Sequence, residues 1–317
     1  MNKKVFFILM MAVAMGCGSA SCQADEVNLI QRILQIIYDN PKTAFLNLTN
    51  SASRNVTGKF WFEGNYDRIN RDKQDAANVI GFSSGARLLG DGNSSALHLL
   101  FGLHIFPNQG LFETEKIILG AGVVEKYNVV EAKVISAGLY GRNVMPAGLY
   151  VDYALYLGYY GFKMKTDISV FGSVLGSKPG SEHGSVDGGE SSALNFGGRL
   201  GLGYSTKLSN SVALDPNVHF NAIEVKEPAK ELGTKHFVNL VQLVPGVDLR
   251  IKLSNKMRMG MFFRYNISID NIPLNKDNFE FGASLSSNGS KGIKISASYK
   301  IAKKDNNELN FRVGYRR

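Results

Sequence analysis

Gly81-Phe82-Ser83-Ser84-Gly85 reproduces the G-x-S-x-G spacing that holds a serine nucleophile on a sharp turn from strand to helix. Val79 to Leu89 keeps a period-two alternation straight through it, with no room for that turn. Gly197, Gly198, Gly201 and Gly203 look superficially like a dinucleotide loop, but no helical pattern follows and the spacing is wrong. His98 and His104 share one strand face about 20 Å apart at strand rise, too far to ligate one metal. Both cysteines, Cys17 and Cys22, lie near the N-terminus, so the rest of the chain has no thiol chemistry and no disulfide framework. The sequence therefore points to a protein with no catalytic set, no cofactor and no metal, and not to an enzyme.

What remains is charge placed at strand period. In the last five strand-like segments alternation turns Arg250, Lys252, Arg258, Arg264, Lys294, Lys300, Arg312 and Arg316 to one face, against Asp248 and Glu280. Glu63 and Asp152 are further carboxylates expected on that face. The opposite face is apolar: Leu309, Phe311, Val313 and Tyr315 in the final segment, and Ile293, Ile295, Ala297, Tyr299 and Ile301 in the one before. Leu97, Leu99, Phe101, Leu103 and Ile105 repeat the pattern, as do Met257, Met259, Met261, Phe263 and Tyr265. Strands with an apolar outside and a charged inside suit a barrel in lipid. A basic wall also favours anions if such a pore is open.

The wider sequence agrees. Its 317 residues include 34 glycines and 10 % aromatics, and no interior run approaches the roughly 18 apolar residues of a membrane helix. The net charge of +9 is spread along strands rather than clustered, which argues against nucleic acid. Lys3 and Lys4 before the apolar run Val5 to Met15 read as a signal peptide, residues 1–24, with cleavage after Ala20 or Ala24. Residues 25–54 form an N-terminal helix and linker. Val27, Ile30, Leu34 and Ile37 recur at helical spacing, with Asp39-Asn40-Pro41 as the expected stop. That helix can plug the lumen of a barrel, pack outside it or lie on a membrane surface; its broad apolar face fits a polar lumen poorly.

Residues 55–317 read as twelve strands, near 58–67, 77–89, 96–106, 131–140, 148–163, 193–208, 211–225, 238–253, 257–269, 279–286, 292–302 and 308–316. Connections after even-numbered strands are tight, at Asp91-Gly92-Asn93-Ser94, Arg142-Asn143, Ser209-Asn210, Ser254-Asn255-Lys256 and Asn288-Gly289-Ser290. Those after odd-numbered strands are mostly longer, including a Gly- and Ser-rich loop from Thr166 to Ser192. Residues 107–130 are the least regular, and Ile117 to Val124 can hold an extra strand. The fold class is all-β: a transmembrane antiparallel barrel preceded by one short amphipathic helix.

Several segments resemble the autotransporter β-domain, the translocator of type V secretion. They are Phe60-Trp61-Phe62-Glu63-Gly64, Gly81-Phe82-Ser83-Ser84-Gly85-Ala86, Gly148-Leu149-Tyr150-Val151-Asp152-Tyr153, Gly201-Leu202-Gly203-Tyr204 with Leu214-Asp215-Pro216, and Gly314-Tyr315-Arg316. The chain departs from the family in ending on Arg317 rather than an aromatic, and in leaving some thirty residues where a large passenger belongs. The resemblance implies an outer-membrane location in a Gram-negative cell, with lipid and the barrel assembly machinery as partners. It implies a translocator with little or no passenger; a porin-like small-solute channel is the alternative on the same architecture.

The resemblance further implies that Leu309, Phe311, Val313 and Tyr315 carry the assembly signal, with Arg316 and Arg317 at or beyond the barrel rim. Replacing Phe311 and Tyr315 together by Ser should leave export intact but block insertion, measured as loss of the heat-modifiable gel band and periplasmic degradation. Wild-type assembly of the double variant would remove the signal from this strand.

Overall fold

The computed structural model describes residues 39–72, 75–107, 111–119, 121–173, 180–226, 237–269, 277–287, 292–302 and 307–317. Twelve antiparallel strands close into a barrel: β1 (Phe60–Asp72), β2 (Asp75–Leu89), β3 (Ser95–Phe106), β5 (Ala121–Val144), β6 (Leu149–Ser173) and β7 (Gly180–Tyr204) form one half. β9 (Val212–Lys226), β10 (Phe237–Lys252), β11 (Met257–Ser268), β12 (Asn278–Ser287), β13 (Gly292–Ala302) and β14 (Glu308–Arg316) form the other. Two further strands stand outside the ring, β4 (Leu111–Leu119) paired only to β5, and the two-residue β8 (Thr206–Lys207) paired to β9. Helix α1 covers residues 39–55. None of the described helices is long and apolar enough to cross a membrane.

All twelve expected strands are present in the expected order. Closure is made by β1 and β14, in register from Trp61 opposite Arg316 to Ile69 opposite Glu308. The ladder runs past the strand end: the amides of Lys59 and Phe60 donate to the Arg317 carbonyl at 2.6 and 2.9 Å, and the Arg317 amide donates to the Phe60 carbonyl at 2.7 Å. Arg317 therefore belongs to the closing seam rather than beyond it, because its backbone still finds partners on β1.

Alternation sets the two faces as expected. Phe82, Phe101, Leu157, Leu200, Ile295 and Val313 point outward, each 48–58 % exposed. A soluble protein does not expose a girdle of that extent; in lipid it is the buried surface. His98, His104, Asp152 and Arg312 point inward and are buried. Inward glycines make space for large lumen side chains: a Cβ on Gly85 would fall 2.5 Å from the Trp61 ring, and one on Gly203 would fall 2.2 Å from that of Tyr150. This is the physical reason for glycine in the G-x-S-x-G stretch and in β7, both of which are continuous strand.

Two expectations about connections are corrected, and the extra strand allowed for in residues 107–130 is present. Arg142-Asn143 is not a turn: β5 runs on to Val144, since Arg142 pairs across the sheet with Asp152. The turn is Met145–Gly148, where Ala147 and Gly148 take φ of 71° and 91°. The Gly- and Ser-rich stretch from Thr166 is not an irregular loop. β6 and β7 stay paired from Lys165 opposite Asp187 to Gly172 opposite Gly180, so a ready ladder partner overrides weak strand propensity. Residues 107–130 hold the β4–β5 hairpin, with Ile117 opposite Val124. Of β5, Ala132–Asn143 pairs with β3, so its first eleven residues run on past β3 for about 35 Å along the strand at strand rise.

The Asp91 turn is as expected. Its carboxylate accepts from the amides of Asn93, Ser94 and Ser95 at 2.8, 2.9 and 3.1 Å, and these bonds hold it well below the usual carboxylate range. The Asn288-Gly289-Ser290 turn and the signal-peptide and helical readings of residues 1–38 lie outside the described residues.

Phe263 is 55 % exposed on the outer face, whereas Gln242 is buried inside, as alternation requires. Phe263→Arg should destabilise the barrel by roughly 2–4 kcal/mol if the site lies at mid-bilayer, read as a lower midpoint of heat-modifiability. Phe263→Leu should be nearly silent. Equal effects of the two would mean that this face does not meet lipid.

Candidate functional site in the barrel lumen

α1 lies inside the ring, since its side chains bond to inward-facing groups on strands all around it. The expected stop at Asp39-Asn40-Pro41 is overturned: all three residues are helical. Pro41 lies within the described helix and does not end it. Asn40 Nδ2 donates to the Tyr160 hydroxyl at 3.4 Å, far along β6, while Asn55 sits beside the start of β1. The helix thus runs from the long-hairpin rim to the short-turn rim, about 25 Å at helical rise.

Its faces match a lumen of two characters. Ala44, Phe45, Leu48 and Ala52 are fully buried at spacings of three and four. They join an apolar cluster with Leu100, Val134, Tyr156 and Ile223, and the Phe45 ring meets Tyr156 edge-on at 5.2 Å. The lumen is therefore not uniformly polar. The wall built by β3, β5, β6, β7 and β9 offers an apolar surface that suits the apolar stripe of α1.

The other faces are polar and meet the charged wall with Ser, Asn and one Arg side chain. Ser51 Oγ donates to Glu63 Oε1 at 2.6 Å, Arg54 donates to the same oxygen, and Asn55 Nδ2 reaches Oε2 at 3.4 Å. Glu63 is 2 % exposed, so this is a carboxylate out of water with three donors from one helical turn. Asn47 spans the closing seam: its Nδ2 donates to Asp67 Oδ2 on β1 at 2.7 Å and its Oδ1 accepts from Arg312 Nη2 on β14 at 2.9 Å. Asn50 accepts from Arg199 Nη1 at 2.7 Å. Ser53 accepts from Arg142 Nη2 at 3.1 Å, while Arg142 holds Asp152 bidentately at 2.5 and 2.7 Å. Beyond the helix, His98 Nε2 bonds the Val56 carbonyl at 2.9 Å.

The expected inward cations divide into two groups. Arg312 and Arg264 lie within the lumen, the latter 3.5 Å from Asp248. Lys294 faces inward on β13, and Lys300 pairs with Glu308 at 3.0 Å. Arg250, Lys252 and Arg258 are exposed at the short-turn rim, where Arg250 binds Asp215 at 2.6 Å and Lys252 stands opposite Arg258. Arg54 and Arg199 were absent from the sequence expectation and Arg142 was placed in a turn, yet all three bond with or beside the helix. The signal for Arg54 was its place on the polar face of the Ala44-Phe45-Leu48-Ala52 stripe. Among the described residues no three His, Cys, Asp or Glu side chains gather to hold a metal.

No family model and no curated protein matches this sequence. Solved structures do. The translocator domain of the autotransporter NalP from Neisseria meningitidis superposes with a TM-score of 0.54 at 12 % identity, over 90 % of this chain and 97 % of that one. The β domain of the Bordetella autotransporter BrkA gives 0.52 at 14 %, over 82 % of this chain and 98 % of that one. Both are outer-membrane barrels rather than enzymes. At such identity the likeness is one of architecture: the chain has the twelve-stranded barrel fold of autotransporter translocator domains.

Proposed function

We propose that this protein is an outer-membrane barrel on the translocator plan whose own residues 39–55 plug its lumen, and that the chain before them leaves by the long-hairpin rim. The observation that carries this reading is the set of bonds from one helix to Glu63 and Asp67 on β1, Arg142 on β5, Arg199 on β7 and Arg312 on β14. These five charges each have a helix partner, which is the arrangement of a built-in occupant rather than of an open pore. In this reading the barrel carries a short N-terminal segment in place of a large passenger. The apolar girdle faces outer-membrane lipid, and the last strand carries the signal for the assembly machinery.

Planar-bilayer conductance tests it. Full-length protein should conduct little, and deletion of residues 25–54 should open a pore at least tenfold more conductive. Equal conductance in the two forms would overturn the plug. High conductance with the helix present would favour a porin-like solute channel instead. Glu63→Gln should give intermittent openings, because it leaves the Arg54 guanidinium buried without its counter-charge, a change that costs roughly 3–5 kcal/mol. Steady closure in that variant would show that Glu63 does not hold the helix.

A further inference from the structure

The helix leaves one part of the lumen unfilled. Beside Leu46 and Asn50, facing β7 and β9 to β13, lies a cavity of about 30 Å3. That is room for about two waters or one small ion. Its charged lining is unbalanced: Arg199, Arg264 and Lys300 meet a single carboxylate, Glu280.

The three cations are not equally committed. Lys300 Nζ is held by Glu308 at 3.0 Å, outside the cavity lining. Arg264 stands 3.5 Å from Asp248 through Nη2, and its Nε has no partner among the described residues. Arg199 is 6 % exposed; its Nη1 bonds the neutral Asn50, and its Nε also lacks a partner. Asp152, the carboxylate nearest in kind, is taken bidentately by Arg142. Arg199 and Arg264 are close enough to act on each other as like charges. Two guanidiniums at one small cavity, Arg199 buried and Arg264 13 % exposed, each with an unmet Nε, form an incomplete arrangement, since each unmet charged donor carries a desolvation cost. The Asn221 amide, on the same wall, has an unpaired oxygen, and turning it end for end would present its NH2 to the cavity.

We propose that this cavity is a binding site for one small monovalent anion of the chloride class. Arg199 and Arg264 donate to it and Asn221 completes the shell, so the anion links helix α1 to the β9–β13 wall. An oxyanion as large as phosphate does not fit. Since α1 forms one wall, the site rests on the plugged-lumen reading above.

The test uses full-length protein in detergent, with chloride against gluconate, an anion too large for the cavity, at equal ionic strength. The midpoint of heat-modifiability should be several degrees higher in chloride. Arg199→Gln should abolish the gain, while Arg250→Gln, at the rim, should keep it. No gain in the wild type, or the same gain in all three proteins, would overturn the site. Should Arg199→Gln fail to assemble, bromide supplies the second measurement: crystals grown in it should show an anomalous peak between Arg199 and Arg264, and water there would overturn the site equally. A missing chloride effect with conductance still blocked removes the anion site alone; open conductance removes the plug as well.

Discussion

Inside a bilayer every backbone N–H and C=O must find its partner within the protein, and the remainder of this fold follows from that demand. A sheet satisfies it only when closed, so the pairing of β1 with β14 is the condition on which the other eleven seams depend. Closure fixes the alternation of faces, which in turn fixes a lumen too narrow to be left as empty space beside buried charge. The chain answers with its own helix. Asn47 hydrogen-bonds Asp67 and Arg312 across the closing seam, so the lumen contents and the barrel closure reinforce one another.

Two kinds of solvent act on opposite sides of one strand. Outside, Val313 and Ile295 meet a medium that rewards apolar area, and inside, Glu63 and Asp152 survive burial only because donors surround them. The lumen is organised in two halves, one where Phe45 and Leu48 pack and one where Asn47, Asn50 and Arg54 bond. An amphipathic helix is usually a surface element. Here both of its faces are buried, because the barrel wall repeats its two-sidedness in reverse.

The barrel was legible in the sequence because period-two alternation is a direct print of the lipid boundary, strongest where one face is wholly apolar, as in Leu309 to Tyr315. The lumen was less legible. Alternation says that Arg264 and Lys300 point inward, yet not which carboxylate each meets, because partners such as Asp248 and Glu308 are chosen by register and rotamer across the sheet. The helical residues 39–55 were missed for a local reason: Asp39-Asn40-Pro41 reads as a stop, and only the weak stripe of Ala44, Phe45, Leu48 and Ala52 follows it. Arg142-Asn143 misled in the same way, as turn-forming residues held in a strand by a cross-strand ion pair. The Gly- and Ser-rich arm of β7 carries almost no strand signal of its own and is held by the arm of β6, where Ile168 and Val170 alternate with polar residues.

Glu63 has a consequence for the order of events. Its three helix donors, Ser51, Arg54 and Asn55, lie eight to twelve residues away along the chain, whereas the partner strand that closes the barrel is the last one made. A short loop closes at a small entropic cost and a long one at a larger cost, so helix and first strand meet before the first strand meets the last. The lumen is then not an opening that is stoppered after the wall is complete. The wall is wound around a core that is already attached to its first stave.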